Sequence, residues 1–145
     1  MKYTLILIAI LTTISCNKVV TTDRLVGTYT LSSIKEKKLF SCNDVTSPYT
    51  NATFIYETNN ILTIITDNDT LTGNYSIYTT TNYNNDENGS QHQEQNISHN
   101  AVNITGNKRF LITLNQVQFK NKNKTVEGRL AQPGSDYIYT FTTKQ

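Results

Sequence analysis

From Val26 to Thr143 the chain is a succession of short runs rich in Thr, Tyr, Ile and Val, each closed by Asn, Asp, Gly or Pro. That punctuation restricts the fold more than any other feature. Side chains that are β-branched or aromatic suit a pleated, half-buried surface. The runs are also too short and too often interrupted to hold the apolar spacing of a long helix. Eight of them read as strands: "VGTYTLSSI" from residue 26, "ATFIYET" from 52, "NILTIIT" from 60, "LTGNYSIYT" from 71, "NISHNAVNIT" from 96, "RFLITLNQVQF" from 109, "TVEGRLA" from 125 and "DYIYTFTT" from 136.

The phase of each run assigns its faces. Tyr29, Leu31 and Ser33 share one face of the first, and Ile97, His99, Ala101 and Asn103 share one face of the fifth. The sixth alternates through Phe110, Ile112 and Leu114 and resumes on the other phase at Val117 and Phe119, which predicts a bulge or bend near Asn115 and Gln116. Turn residues stand at 58–60, at Asp67 to Asp69 and at Pro133-Gly134. "SIKEKKLFSCND", residues 33–44, is the one stretch that could form a helical turn. "TTNYNNDENGSQHQEQ", residues 80–95, contains no aliphatic residue and so has nothing to bury; it reads as a loop or, through Asn88-Gly89, as the tip of an extended hairpin. Short strands without intervening helices imply an all-β, antiparallel architecture of about eight strands, a barrel or alternatively a β-sandwich.

The first fifteen residues are of another kind. Lys2 precedes an apolar run from Leu5 to Leu11 and the small polar stretch Thr12 to Ser15. This is the order of a secretory signal, with an apolar core far shorter than the about 20 residues that span a bilayer. The run ends in "TTISC", residues 12–16, which resembles the lipobox of bacterial lipoproteins, with Ser15 before the cysteine and Thr13 where that family usually has Leu. The resemblance implies a signal peptide at 1–15, acylation of Cys16 as the mature N-terminus, a polar tether at 16–23 and one β domain at 24–145. It also implies an envelope protein anchored in the bacterial outer membrane by lipid. Cys42 then has no partner and is either buried or available for an intermolecular bond; without lipid on Cys16, a Cys16–Cys42 disulfide is the competing reading.

Thirteen basic residues nearly balance eleven acidic ones, for a net charge of +2, which gives no ground for a nucleic-acid partner. "KEKK" and "KNKNK" read as solvated turns or strand ends. The only histidines, His92 and His99, lie near Asp86, Glu87 and Glu94, but no metal-ligand spacing joins them, and both read as polar surface residues. "DNDTLTG", from residue 67, opens like an EF-hand loop, yet Gly73 comes one place late and Tyr78 stands where the bidentate acid belongs, so it reads as a turn. There is no G-x-S-x-G, and no protease signature surrounds Cys42 to pair it with His99. No catalytic residue, metal or cofactor is assigned, and the chain reads as a non-enzyme.

"RLVGTYTLSSI", residues 24–34, resembles the opening strand of the lipocalin-like domains of small bacterial lipoproteins, which usually carry Leu-x-Gly-x-Trp. Leu25, Gly27 and Tyr29 hold those places, with Tyr for Trp. "FIYETNNILTIIT", "LTGNYSI" and "YIYTFTT" extend the likeness over most of residues 24–143. It implies a lipocalin-like barrel with Tyr29 plugging one end, Arg129 packed over that ring, and a calyx for a small apolar ligand that Tyr56, Tyr75, Tyr78 and Tyr139 could line. An interior of eight strands can equally be filled by side chains, so a β-sandwich acting as a structural or assembly partner of other envelope proteins stays open.

Overall fold

A computed structural model describes residues 22–45, 47–83 and 91–144. One helical turn, α1 (Thr22–Leu25), leads into β1 (Gly27–Lys38), β2 (Ser41–Asp44), β3 (Thr53–Tyr56), β4 (Ile61–Ile65), β5 (Thr70–Tyr83), β6 (Gln91–Asn103), β7 (Arg109–Lys120), β8 (Thr125–Gln132) and β9 (Ser135–Thr143). All eight expected strands are present. The ninth, β2, lies where a helical turn was expected, within residues 33–44. There the burial of β1 keeps a period of two, with Ile34 and Glu36 turned inward and Lys35 and Lys37 outward, and β2 folds back antiparallel along it from Lys38↔Ser41 to Lys35↔Asp44.

The strands form one antiparallel sheet in the order β2-β1-β3-β4-β5-β6-β7-β8-β9, and β9 returns to pair with β1 from Tyr29↔Thr143 to Lys37↔Asp136. With β2 set aside, eight strands therefore close into a hydrogen-bonded ring. β1 closes it because its two sides serve different neighbours: Gly27 to Thr30 pair with β3, while the opposite side runs along β9.

Two bulges set which residues face inward. The first lies between Leu31 and Ser33 in the pairing with β9, and it leaves Ser32 to donate from its hydroxyl to the Thr140 carbonyl at 2.9 Å. The extra residue shifts the phase, so Ile34 follows Tyr29 and Leu31 into the interior in place of the expected Ser33. The second falls where the sequence placed it, between Asn115 and Gln118 of β7, with Gln116 at φ 51°. It turns Val117 inward after Phe110 and Leu114.

The interior is lined by Tyr29, Leu31, Phe54, Tyr56, Leu62, Ile64, Leu71, Tyr75, Ile97, Phe110, Leu114, Val126 and Phe141, all buried. Both ends are covered. At one, Leu25 of α1 is buried against the interior. At the other, the link between β2 and β3 brings Tyr49 across to Phe110, ring centroids 4.8 Å apart, and its hydroxyl donates to the Arg109 carbonyl at 3.2 Å. β5 and β6 stay in register from Leu71↔Asn103 to Tyr83↔Gln91, so the aliphatic-free stretch is strand on both sides of the hairpin. Backbone pairing and polar cross-strand contacts hold it, such as Gln95 Nε2 donating to Thr79 Oγ1 at 2.6 Å. The Asn88-Gly89 turn lies outside the described residues. β5 needs Gly73, because a Cβ there would sit 1.9 Å from the Asn100 carbonyl oxygen on β6.

Candidate functional site

His99 is the most unexpected residue inside the ring. It is fully enclosed, at 0% exposure, because the odd-numbered positions of β6 from Ile97 to Asn103 face inward. The expectation of a polar surface residue was wrong. Burial is tolerated because both ring nitrogens are satisfied. Nδ1 lies 3.2 Å from the Ile112 carbonyl, which only accepts, so Nδ1 carries the proton; Nε2 then accepts from the Tyr56 hydroxyl at 2.9 Å. The ring stacks on Phe141 at 6.3 Å and meets Phe110 edge-on at 5.7 Å. Burial in this apolar setting penalises the imidazolium and pulls the His99 pKa from 6.5 down to about 4. Tyr56, also enclosed, is pushed well above the usual phenol range, first by burial and then by the neighbouring Tyr29 and Tyr75.

Tyr29 and Tyr75 flank Tyr56 edge-on, at 5.7 and 5.1 Å between centroids, and the Tyr75 hydroxyl donates to the Glu57 carbonyl at 2.7 Å. The gap bounded by Leu25, Tyr29, Tyr56, Ile97, His99, Leu114, Val126 and Phe141 has no room for a water molecule. What this arrangement does is fix the interior.

The remaining expected residues do not converge on one site. Tyr139 also faces inward, whereas Tyr78 is half-exposed on the outer face. Arg129 is exposed, because Val126 and Gly128 take the inward phase of β8; it does not cover Tyr29. Among the described residues, a cation packs over an aromatic ring at Arg24 of α1, 4.8 Å from the centre of Phe119. Cys42 is an exposed free thiol on β2, paired across from Lys37, while His99 lies inside the ring, so the two are not brought together. His92 stays on the surface 3.9 Å from Glu94, whose carboxylate also accepts from Gln116 Nε2 at 2.7 Å. Among the described residues no three His, Cys, Asp or Glu side chains gather as a metal site. Cys16, Asp86 and Glu87 lie outside the described residues.

The registers place the turns after β1, β4, β6 and β8 at the end of the ring remote from α1. Two of them are knotted together. Buried Asn103 donates to Asp69 Oδ2 at 3.0 Å and to Asn107 Oδ1 at 2.9 Å, and accepts from the Lys108 amide at 3.1 Å. Lys108 Nζ reaches the same Asp69 oxygen at 3.1 Å and, with Asn103, holds that carboxyl below its usual pKa. The β1–β2 tip differs. Leu39 and Phe40 are 87% and 95% exposed, and at the same end Ile104 is wholly exposed on the β6–β7 turn. The tip was not singled out from sequence, although two bulky apolar residues between Lys38 and Ser41, where turn formers belong, are the signal that reveals it.

Comparison with known proteins finds no family model, no curated protein and no solved structure that matches this chain.

Proposed function

We propose that this chain is a lipid-anchored protein of the bacterial envelope, held in the outer membrane through Cys16, and that its ring is a lipocalin-like barrel acting through its outer surface as an assembly partner. The observation that carries the surface role is the filled interior. Tyr56 and His99 spend their polar atoms on each other and on the Ile112 carbonyl, and no water-sized space remains beside them. A small apolar ligand would have to displace these side chains, breaking hydrogen bonds whose buried partners would then stand unsatisfied. The anchor rests on the signal-like segment ending in "TTISC".

Two measurements test the two halves. Metabolic fatty-acid labelling should mark the wild-type chain and not Cys16→Ala; equal labelling of both removes the anchor. Titration of the folded protein with an apolar fluorescent probe should show no saturable single site. Saturation, with a rise in stability that follows probe concentration over its dissociation constant, would restore the small-ligand carrier in place of the surface role.

A further inference from the structure

The β1–β2 hairpin carries an inference beyond the Cys16 anchor and independent of it. A two-residue connection between antiparallel strands favours backbone with positive φ, supplied by Asn, Asp or Gly. Here Lys38 pairs with Ser41, and the two residues between are Leu39 and Phe40, neither at positive φ. The turn thus forgoes its preferred chemistry to hold two large apolar side chains almost wholly in water. Local rules broken in this way concentrate at functional positions.

The charges next to the tip are those of Lys37 and Lys38, and no acid lies between Glu36 and Asp44; farther back, exposed Asp44 stands across from Lys35, and Asp136 of β9 across from Lys37. Lys35, Lys37 and Lys38 are exposed. The only acid among them, Glu36, is turned inward, where Lys38, Ser135 and Tyr137 all engage its carboxylate. At the same end Ile104 projects from the β6–β7 turn, close in sequence to exposed Lys108 and Arg109.

We infer that the Leu39–Phe40 tip is a wedge that enters an anionic lipid surface, with Lys37 and Lys38, the charges nearest the tip, resting on the headgroups. The shape favours lipid over a protein groove: the apolar residues form a convex point, and a point buries itself most readily in a fluid medium. The charge favours an anionic surface, since each lysine near such a surface strengthens binding roughly fivefold. The tip stands at the opposite end of β1 from α1, so this contact is a second attachment, separate from the tether.

Cys42, exposed on the neighbouring strand, gives a local reporter. In the full chain carrying Cys16→Ser, the only remaining thiol is Cys42, and an environment-sensitive fluorophore can be placed on it. Vesicles of phosphatidylcholine with about a third phosphatidylglycerol should shift its emission to the blue and bring it within reach of a lipid-borne quencher. Pure phosphatidylcholine should bind at least tenfold more weakly, and salt should erase that difference. Leu39→Asp with Phe40→Asp should abolish the shift even where residues 1–16 still hold the chain on the vesicle, which flotation reports. Both positions are exposed, so the double variant keeps the fold, checked by circular dichroism. No shift on vesicles that co-float with the wild-type protein overturns the proposal and leaves a protein pocket as the tip's partner. A shift that persists in the double variant, or that is as strong on neutral vesicles, overturns it as well. None of these outcomes depends on whether Cys16 is acylated.

Discussion

The interior around Tyr56 and the tip of the β1–β2 hairpin reverse the usual distribution of chemistry. Inside, a histidine is completely enclosed; outside, a phenylalanine is 95% exposed. The two inversions have different physical standing. His99 is compensated, because Tyr56 and the Ile112 carbonyl occupy both ring nitrogens and aromatic faces fill the rest of its shell. Among the described residues nothing compensates Phe40. A buried polar group that is fully satisfied is a device for holding one packing, whereas an exposed apolar tip points outward, to something the fold itself does not supply.

If that distinction is right, substitutions inside the ring should be expensive and those at the tip nearly free. The largest effect is expected at Tyr29. Its ring is buried against Tyr56 and next to Leu25, and truncation would leave a cavity the neighbours cannot fill. Tyr29→Ala should cost about 3–5 kcal/mol in denaturant unfolding. A loss below 1 kcal/mol would mean the ring end is loosely packed and would reopen the case for a cavity.

The second effect is carried by protons. His99 has a folded pKa of about 4 against 6.5 for the free side chain. Between those values the unfolded chain holds more protons than the folded one, so stability rises with pH across this window. The contribution is complete above about pH 6.5 and is lost as the pH falls through 4, a loss of about 3 kcal/mol. Glu36 and Asp69, whose carboxyls are held below their ordinary values by lysine and hydrogen-bond partners, begin to add to acid lability at the lower end of that window and continue below it. Equilibrium unfolding measured from pH 7 to 4 should show the slope, and His99→Gln should flatten it. An unchanged slope in His99→Gln would assign the acid lability to carboxylates instead.

The sequence reveals this molecule unevenly, and the reasons are local. Period-two alternation and turn residues are enough to place every strand of the ring, and the phase break after Leu114 reveals the bulge at Gln116. The bulge at Ser32 is hidden because Ser32 and Ser33 are alike and carry no apolar marker; only the partner strand decides which of them is extra. Arg129 and Tyr78 follow their strands' parity outward, which outweighs any likeness to a lipocalin plug. His99 is misjudged for a different reason. Its neighbours Ile97 and Ala101 already mark an inward face, but its partners come from β3 and β7, distant in sequence. Ring closure through β1 and β9 is likewise a long-range fact, joining Leu31 to Phe141.

The smallest effect is the most discriminating, because it should be near zero where the interior's is large. Leu39 and Phe40 bury almost nothing, so replacing them removes no packing. Leu39→Asn with Phe40→Gly removes both apolar side chains and leaves small residues that turns accept. Neither position is at positive φ, so the turn holds no backbone strain to relieve, and unfolding should change by less than about 1 kcal/mol. The same variant should lose the vesicle-induced shift at Cys42, since nothing apolar remains to enter the bilayer. A chain equally stable but less able to meet lipid after one pair of substitutions would separate the tip's role from the fold's. A loss of more than about 1 kcal/mol would say the reverse: that Leu39 and Phe40 pack against the chain in solution, and that the contrast between the compensated histidine and the uncompensated phenylalanine does not hold.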